Sequence, residues 1–357
     1  MRYRHLYVTF PQYVAKAGFL MILVGCLVFA SGTALRGQSN FSFEKVFYVP
    51  YKGDWNNPTV NPLSNKLYIT HGNQVTILNK YTGDSIGIIA NTPGVKSVAL
   101  ALKFGKGYAT NSSANTITVF DLKSDRFVKE IPVGVTPFHV MFEAFSNKII
   151  VSNAKGGNLT VIDPRLDKVE TTIPLNGNKI TGMVSDGNGN LFVHLADKRE
   201  VVWLNLSTYE VLMHWSLGPG KSPSGMTIDT RHQRLFSVCN KLLVVFDVSS
   251  AKIVDTLTIG LNSDGIVYNP STRLIFVANG DGTLSVINQL SPNEYKLVKN
   301  IPTKKGSNLL AFDEMTSTLF VPGADQFVPA KSSAKQTTTS SPRWIPISFQ
   351  VMVLDML

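Results

Sequence analysis

The sequence predicts an all-β fold, a seven-bladed β-propeller built of four-stranded antiparallel blades. Three observations carry that expectation: a repeat of 42 residues, short alternating apolar segments punctuated by Asn, Gly, Asp and Ser, and no convincing 3.6-residue period after residue 40. The composition agrees. At 44% hydrophobic and 16% charged, the chain can bury a sizeable core, so full-length disorder is excluded. Twenty-seven Gly and 18 Pro in 357 residues are ordinary for a loop-rich fold and exclude collagen-like classes.

The repeat is clearest in one strand of each unit, an apolar-x-apolar segment closed by Asp or Asn. It occurs as Val75-Thr-Ile-Leu-Asn79, Ile117-Thr-Val-Phe-Asp121, Leu159-Thr-Val-Ile-Asp163, Val201-Val-Trp-Leu-Asn205, Leu243-Val-Val-Phe-Asp247, Leu284-Ser-Val-Ile-Asn288 and Val351-Met-Val-Leu-Asp355. The closing residues are spaced 42, 42, 42, 42, 41 and 67 apart. Asp and Asn bond the backbone of a following turn, so this residue is read as a strand terminator. A second apolar run precedes each, as in Leu67-Tyr-Ile and Leu191-Phe-Val. An inner strand such as Gly225-Met-Thr-Ile-Asp229 and an outer one such as Phe127-Val-Lys-Glu-Ile131 complete each unit.

The chain ends suggest how the ring closes. The seventh unit stops at its third strand, and Phe43-Glu-Lys-Val-Phe-Tyr-Val49 matches the fourth-strand pattern of Tyr295-Lys-Leu-Val-Lys-Asn-Ile301. The last blade is therefore expected to be closed by the N-terminal strand, which protects its edge. Residues 43–357 form one propeller domain in this reading, after a short linker at 35–42. The longer last interval is assigned to a flexible surface insertion at 323–346, rich in Ser, Thr and Lys.

Residues 1–34 have the layout of a secretory signal. Arg2, Arg4 and Lys16 precede an uncharged apolar run from Ala17 to Ala30, followed by small residues up to Ala34. Leu23-Val24-Gly25-Cys26 also reads as a lipobox, which would make Cys26 an acylated first residue, and an uncleaved anchor is the third option. The expected address is periplasmic or secreted, with membrane contact only through such a lipid and a monomeric chain. Beyond residue 34 the chain carries 31 basic and 24 acidic residues, and Cys239 is the one remaining cysteine, so no intramolecular disulfide is expected. Its strand context suggests a buried small hydrophobe.

The second strand carries a recurring signature: Tyr68-Ile-Thr-His71, Tyr108-Ala-Thr-Asn111, Ile150-Val-Ser-Asn153, Phe192-Val-His194 and Phe276-Val-Ala-Asn279. With the third-strand continuation, as in Asn115-Thr-Ile-Thr-Val-Phe-Asp121, it resembles the YVTN family of bacterial β-propeller repeats. That resemblance implies an exported seven-bladed propeller and leaves the activity open.

Chemical motifs are sparse. HExxH, CxxC and Gly-x-Ser-x-Gly are absent, so no catalytic residue, metal or cofactor is assigned. Asp186-Gly-Asn-Gly-Asn190 lacks the Gly and Glu of a calcium loop and reads as a hairpin turn. His71 and His194 end second strands and are read as turn caps. The remaining candidates cluster where connections enter the innermost strands: Lys52, Trp55, Lys96, Phe138, His139, Lys179, Lys221 and Lys305. In a propeller these lie around one funnel mouth, and a ring of lysines there would attract anions while Trp55 and Phe138 offer stacking surfaces. The expected function is a non-enzymatic binding or scaffold propeller. Its expected partner is an acidic protein or an anionic polymer, such as an envelope glycan or nucleic acid. A propeller enzyme, lactonase-like or quinoprotein-like, is the alternative.

Overall fold

The computed structural model describes residues 41–49, 55–327, 343–344 and 348–356. The proposed signal and lipobox, most of the linker, and most of the insertion lie outside the described residues. Among the described residues nearly every regular element is a strand, with a single 3₁₀ turn at Leu102–Phe104.

The strands form a β-propeller of six antiparallel blade sheets, five of four strands and one of six. The expectation of seven separate four-stranded blades is corrected accordingly. The fifth and sixth repeats do not separate into two sheets. Their strands Arg234–Asp247 and Lys252–Asn269 run 14 and 18 residues. The chain bends inside them at Asn240 and Asn262, which adopt φ of 59° and 55°. The pair Asn240↔Ser263 bridges the two strands across the position where a gap between blades was expected, beyond a register shift that separates it from Leu242↔Thr258. Asn tolerates the left-handed conformation, so the chain can turn there without leaving the sheet.

Within each sheet the two middle strands are buried on both faces, because a neighbouring sheet packs on either side. Lys66–His71 and Gln74–Asn79 are buried at all four central positions, whereas the outer strand Ser85–Ile89 is mostly exposed. The core is accordingly divided into clusters shared between sheets. One joins Ile150, Leu159 and Val161 to Leu191, Val193 and Val202 of the next sheet. The closing Asp and Asn residues act as read from the sequence: Asn79, Asp121, Asp163, Asn205 and Asp247 each accept a turn amide two or three residues on, at 2.7–2.9 Å.

Polar latches reinforce the contact between sheets. Lys66 Nζ sits 2.7 Å from Asp125 and donates to the Leu122 carbonyl, while the Tyr68 hydroxyl reaches the same carboxylate. The pattern recurs one repeat later: Lys106 with Asp167 at 2.7 Å, and Tyr108 with Asp167 at 2.9 Å. Burial and the adjacent carboxylate raise both phenols well above the usual tyrosine range.

Closure occurs where Lys45–Tyr48 pairs with Gln350–Asp355, in the sheet that also holds Thr318–Gly323 and Ala311–Asp313. The N-terminal strand therefore supplies the outer strand of the last sheet. Phe47, Val351 and Phe320 from this sheet share a cluster with Leu67, Ile69 and Leu78 of the first. Across the same seam, Lys80 lies 2.7 Å from Asp313, with side chains 1% and 0% exposed. Lys80 also donates to the Asn61 carbonyl, and Asp313 accepts the Met315 amide. At the base of the insertion, Gln326–Phe327 pairs with Arg343–Trp344, so its two ends are tied together by a short ladder.

Removing one partner of a buried ion pair leaves an uncompensated charge, which costs about 3–5 kcal/mol. Lys80→Met or Asp313→Leu is therefore expected to lower unfolding free energy in urea by that amount. The double variant should recover most of the loss, because an apolar pair of similar volume fills the same space. A single variant as stable as the parent would show that the seam does not depend on this pair.

Candidate functional site

The candidate residues meet at the heads of the innermost strands, and the backbone there follows one rule. In five repeats the first residue pairs with the end of the second strand, and the register then shifts: Trp55↔His71, Pro137↔Asn153, Ile180↔Leu195, Pro223↔Cys239 and Ser263↔Asn279. Each shift is a bulge, a device that re-aims side chains at a sheet end. The bulged residues turn towards the neighbouring repeat. Asn57 Nδ2 donates to the Lys96 carbonyl at 3.2 Å, and His139 Nε2 donates to the Thr181 carbonyl at 2.9 Å. Thr181 Oγ1 reaches Pro223 O and Ser224 Oγ reaches Ser263 O, both at 2.8 Å.

Glycine stands in or directly after the bulge where the repeats come closest. A Cβ on Gly182 would stand 2.2 Å from Ser224 O, and one on Gly225 would stand 2.0 Å from Asp264 O. Asn57, His139, Thr181 and Ser224 thus donate to the next repeat, while Gly182 and Gly225 carry no side chain where a Cβ would collide.

His139 belongs to this architecture. A carbonyl can only accept, so its Nε2 carries the proton, and burial lowers the imidazole pKa. Its backbone N–H donates to Ser152 Oγ, and its ring meets Phe138 edge to face at 4.7 Å. Trp55 is likewise committed. Its indole stacks on Phe349 at 3.5 Å and on His71 at 4.2 Å. Two rings this close cannot share one face of the indole, so Trp55 is sandwiched, and neither face is open to a base or sugar. Beside it lies a cavity of about 80 Å³ bounded by Asn56, Asn308 and Phe349.

The lysines divide into groups. Lys179, Lys221 and Lys305 are exposed and their ammonium groups make no ion pair or hydrogen bond in the described structure. Lys179 and Lys221 lie within two residues of the inner strands Ile180–Ser185 and Pro223–Asp229, and Lys305 lies on the connection that leads into Ala311–Asp313. Lys96 is half-buried, and its carbonyl is taken by Asn57. Lys52 lies outside the described residues. The acids of this rim are engaged: Asp197 accepts the amides of Asn178 and Lys179, Asp281 accepts the Leu261 amide, and Asp325 pairs with Lys304 at 2.7 Å.

Two desolvated titratable groups, His194 and Asp264, were not among the candidate site residues. His194, expected to cap a turn, is fully buried between the Ser224 carbonyl at 3.0 Å and Ser237 Oγ at 2.9 Å. Burial, with a smaller contribution from His139, lowers its pKa to about 4. Asp264 occupies the bulge position equivalent to Phe138, and burial pushes its carboxyl up to about 7. Cys239 is buried, as expected, and desolvation pushes its thiol up to about 12.

These shifts act on stability with opposite signs. Below its ordinary 6.5, His194 takes up a proton in the unfolded chain but not in the folded one. Stability should therefore fall by roughly 3 kcal/mol as pH drops from about 6.5 to about 4. Asp264 is held neutral up to about 7 in the fold but ionises at 3.8 when unfolded, so it costs stability as pH rises through that interval. Calorimetric melting from pH 4 to 8 should show a flattened acid limb for His194→Gln. Asp264→Asn should melt higher than the parent at pH 8 and equal to it at pH 4. Unchanged profiles for both would contradict these assignments.

No family model matches the chain. Among solved structures it is similar to Kuenenia stuttgartiensis hydrazine synthase, with a TM-score of 0.69 and 15% identity over 78% of this chain and 94% of that one. It is also similar to a chain from a mitotic checkpoint complex, with a TM-score of 0.72 and 12% identity over 98% and 99% of the two chains. At these identities the likeness is one of fold, and the shared fold is the β-propeller.

Proposed function

We propose that this chain is an exported binding propeller of the YVTN-repeat type, whose lysine-bearing rim engages an anionic polymer or an acidic protein surface. The observation that supports the reading is the asymmetry of that rim. Lys179, Lys221 and Lys305 stand exposed and unpaired at corresponding places on three repeats, whereas Asp197, Asp281 and Asp325 are held by backbone amides or by Lys304. Unpaired ammonium groups on a rigid ring retain their donors for a partner, and a one-signed ring speeds encounter. Against the enzymatic alternative stands the state of His139, whose Nε2 is occupied by Thr181 and whose protonation is opposed by burial. Stacking on the partner falls to Phe138, since Trp55 is enclosed.

Heparin is a suitable polyanion probe, and polyglutamate a suitable mimic of an acidic protein surface. Binding should weaken about fortyfold between about 50 and 200 mM salt if these three cationic contacts release counterions. The triple variant Lys179→Glu, Lys221→Glu, Lys305→Glu should abolish binding of both probes while its melting temperature stays with the parent. Binding that ignores salt, or that survives the triple substitution, would overturn the reading. Turnover of a lactone or phosphoester by the parent would favour the enzymatic alternative.

A further inference from the structure

We infer that a second, separate site for a phosphate-monoester group lies between the second and third sheets, at the turns opposite the strand heads described above. A cavity of about 270 Å³ is bounded there by Lys103, Phe104, Ser146, Asn147, Lys148 and Arg165. Three cationic side chains thus converge from three separate segments: the 3₁₀ turn of the second sheet, the first hairpin of the third sheet, and the turn that follows its strand Asn158–Asp163.

Each cation is held in place from behind. Arg165 is gripped by Asp163, with Nε 3.1 Å from Oδ1 and Nη2 2.5 Å from Oδ2. That grip fixes the guanidinium plane and leaves Nη1 unbonded, so the fork is oriented before any ligand arrives. Lys103 donates to Asn147 Oδ1 at 3.0 Å and lies 5.9 Å over the Phe104 ring, which leaves two of its N–H groups uncommitted. Lys148 contacts Asp163 and Glu170, retaining one further N–H. Ser146 contributes no donor, because its hydroxyl bonds Glu143, whose carboxylate is buried behind it and also holds Ser185.

The carboxylates offset much of the cationic charge, so the cavity selects by donor geometry more than by field. A phosphate monoester suits it. It carries close to two negative charges at pH 7 and presents three strong acceptor oxygens, matching guanidinium and two ammonium donors. A carboxylate has one charge and two oxygens and meets fewer of them. The esterified oxygen can point out of the open side, so the group can be carried on a larger molecule.

Calorimetric titration of the full chain with inorganic phosphate and a phosphorylated hexose, at fixed ionic strength, tests this. Both probes should bind one per chain, the hexose ester at least as tightly as phosphate, and acetate at least tenfold more weakly. Arg165→Gln and Lys103→Gln should each lower affinity tenfold or more. Neither should shift the melting temperature, since Lys103 is exposed and the Arg165 side chain is 69% exposed. The triple lysine variant of the opposite rim should bind phosphate like the parent, so failure of that reading leaves this one standing. The inference is overturned by no saturable binding up to about 10 mM, by full affinity in both variants, by acetate binding as tightly as phosphate, or by loss of binding on esterification.

Discussion

A ring of sheets is stable only if its two ends meet, and the seam between the first and last sheets is the constraint on which the remainder depends. Three kinds of interaction act there together. Lys45–Tyr48 supplies the outer strand of the last sheet, an apolar cluster joins Phe47, Phe320 and Val351 to Leu67 and Leu78, and Lys80 pairs with Asp313 in a fully buried setting. A buried ion pair adds little net stability, but it is intolerant of misalignment, because a displaced charge is left without a partner. The pair is suited to setting the register of closure while the apolar cluster supplies the driving force.

Closure also explains the state of the strand heads. Once the sheets are drawn into a ring, their inner ends approach within backbone contact, and the polar groups at that radius bond one another. Asn57, His139, Thr181 and Ser224 each donate to a carbonyl of the next repeat, and glycine fills the places where even a methyl would collide. What remains for a partner lies just outside this inner belt. The long, solvated lysines of the rim keep their donors, and on the opposite face Lys103, Lys148 and Arg165 converge on a cavity. Function on this scaffold is therefore sought at its surfaces, with the inner belt serving as architecture.

Much of this was legible in the sequence, because a repeat imposes period and a strand imposes alternation. The spacing of Asn79, Asp121, Asp163, Asn205 and Asp247 marked the turns, and the pattern of residues 43–49 marked the closing strand. The joining of the fifth and sixth repeats was not legible. It depends on Asn240 and Asn262 bending inside a ladder, where the same residues ordinarily signal a turn that ends one. Contacts between repeats were hidden for a different reason. His194 meets Ser224 and Ser237, 30 and 43 residues away, and Lys80 meets Asp313 across the seam, from the opposite end of the sequence. Trp55 read as an exposed platform because Phe349, its stacking partner, enters from the far end of the chain. Local pattern reports which face of a strand is buried; it does not report what covers that face.

Native-state hydrogen exchange at the closing strand tests the central claim most directly. The amides of Glu44 and Val49 donate to Val353 and Phe349 across the seam, at 3.1 and 3.0 Å. If closure is integral to the fold, these amides exchange only when the whole propeller unfolds, at the rate of the slowest amides in Lys148–Asn153 and Asn158–Asp163. Exchange at the seam orders of magnitude faster, while those central strands remain protected, would show that the ring stands without its closure.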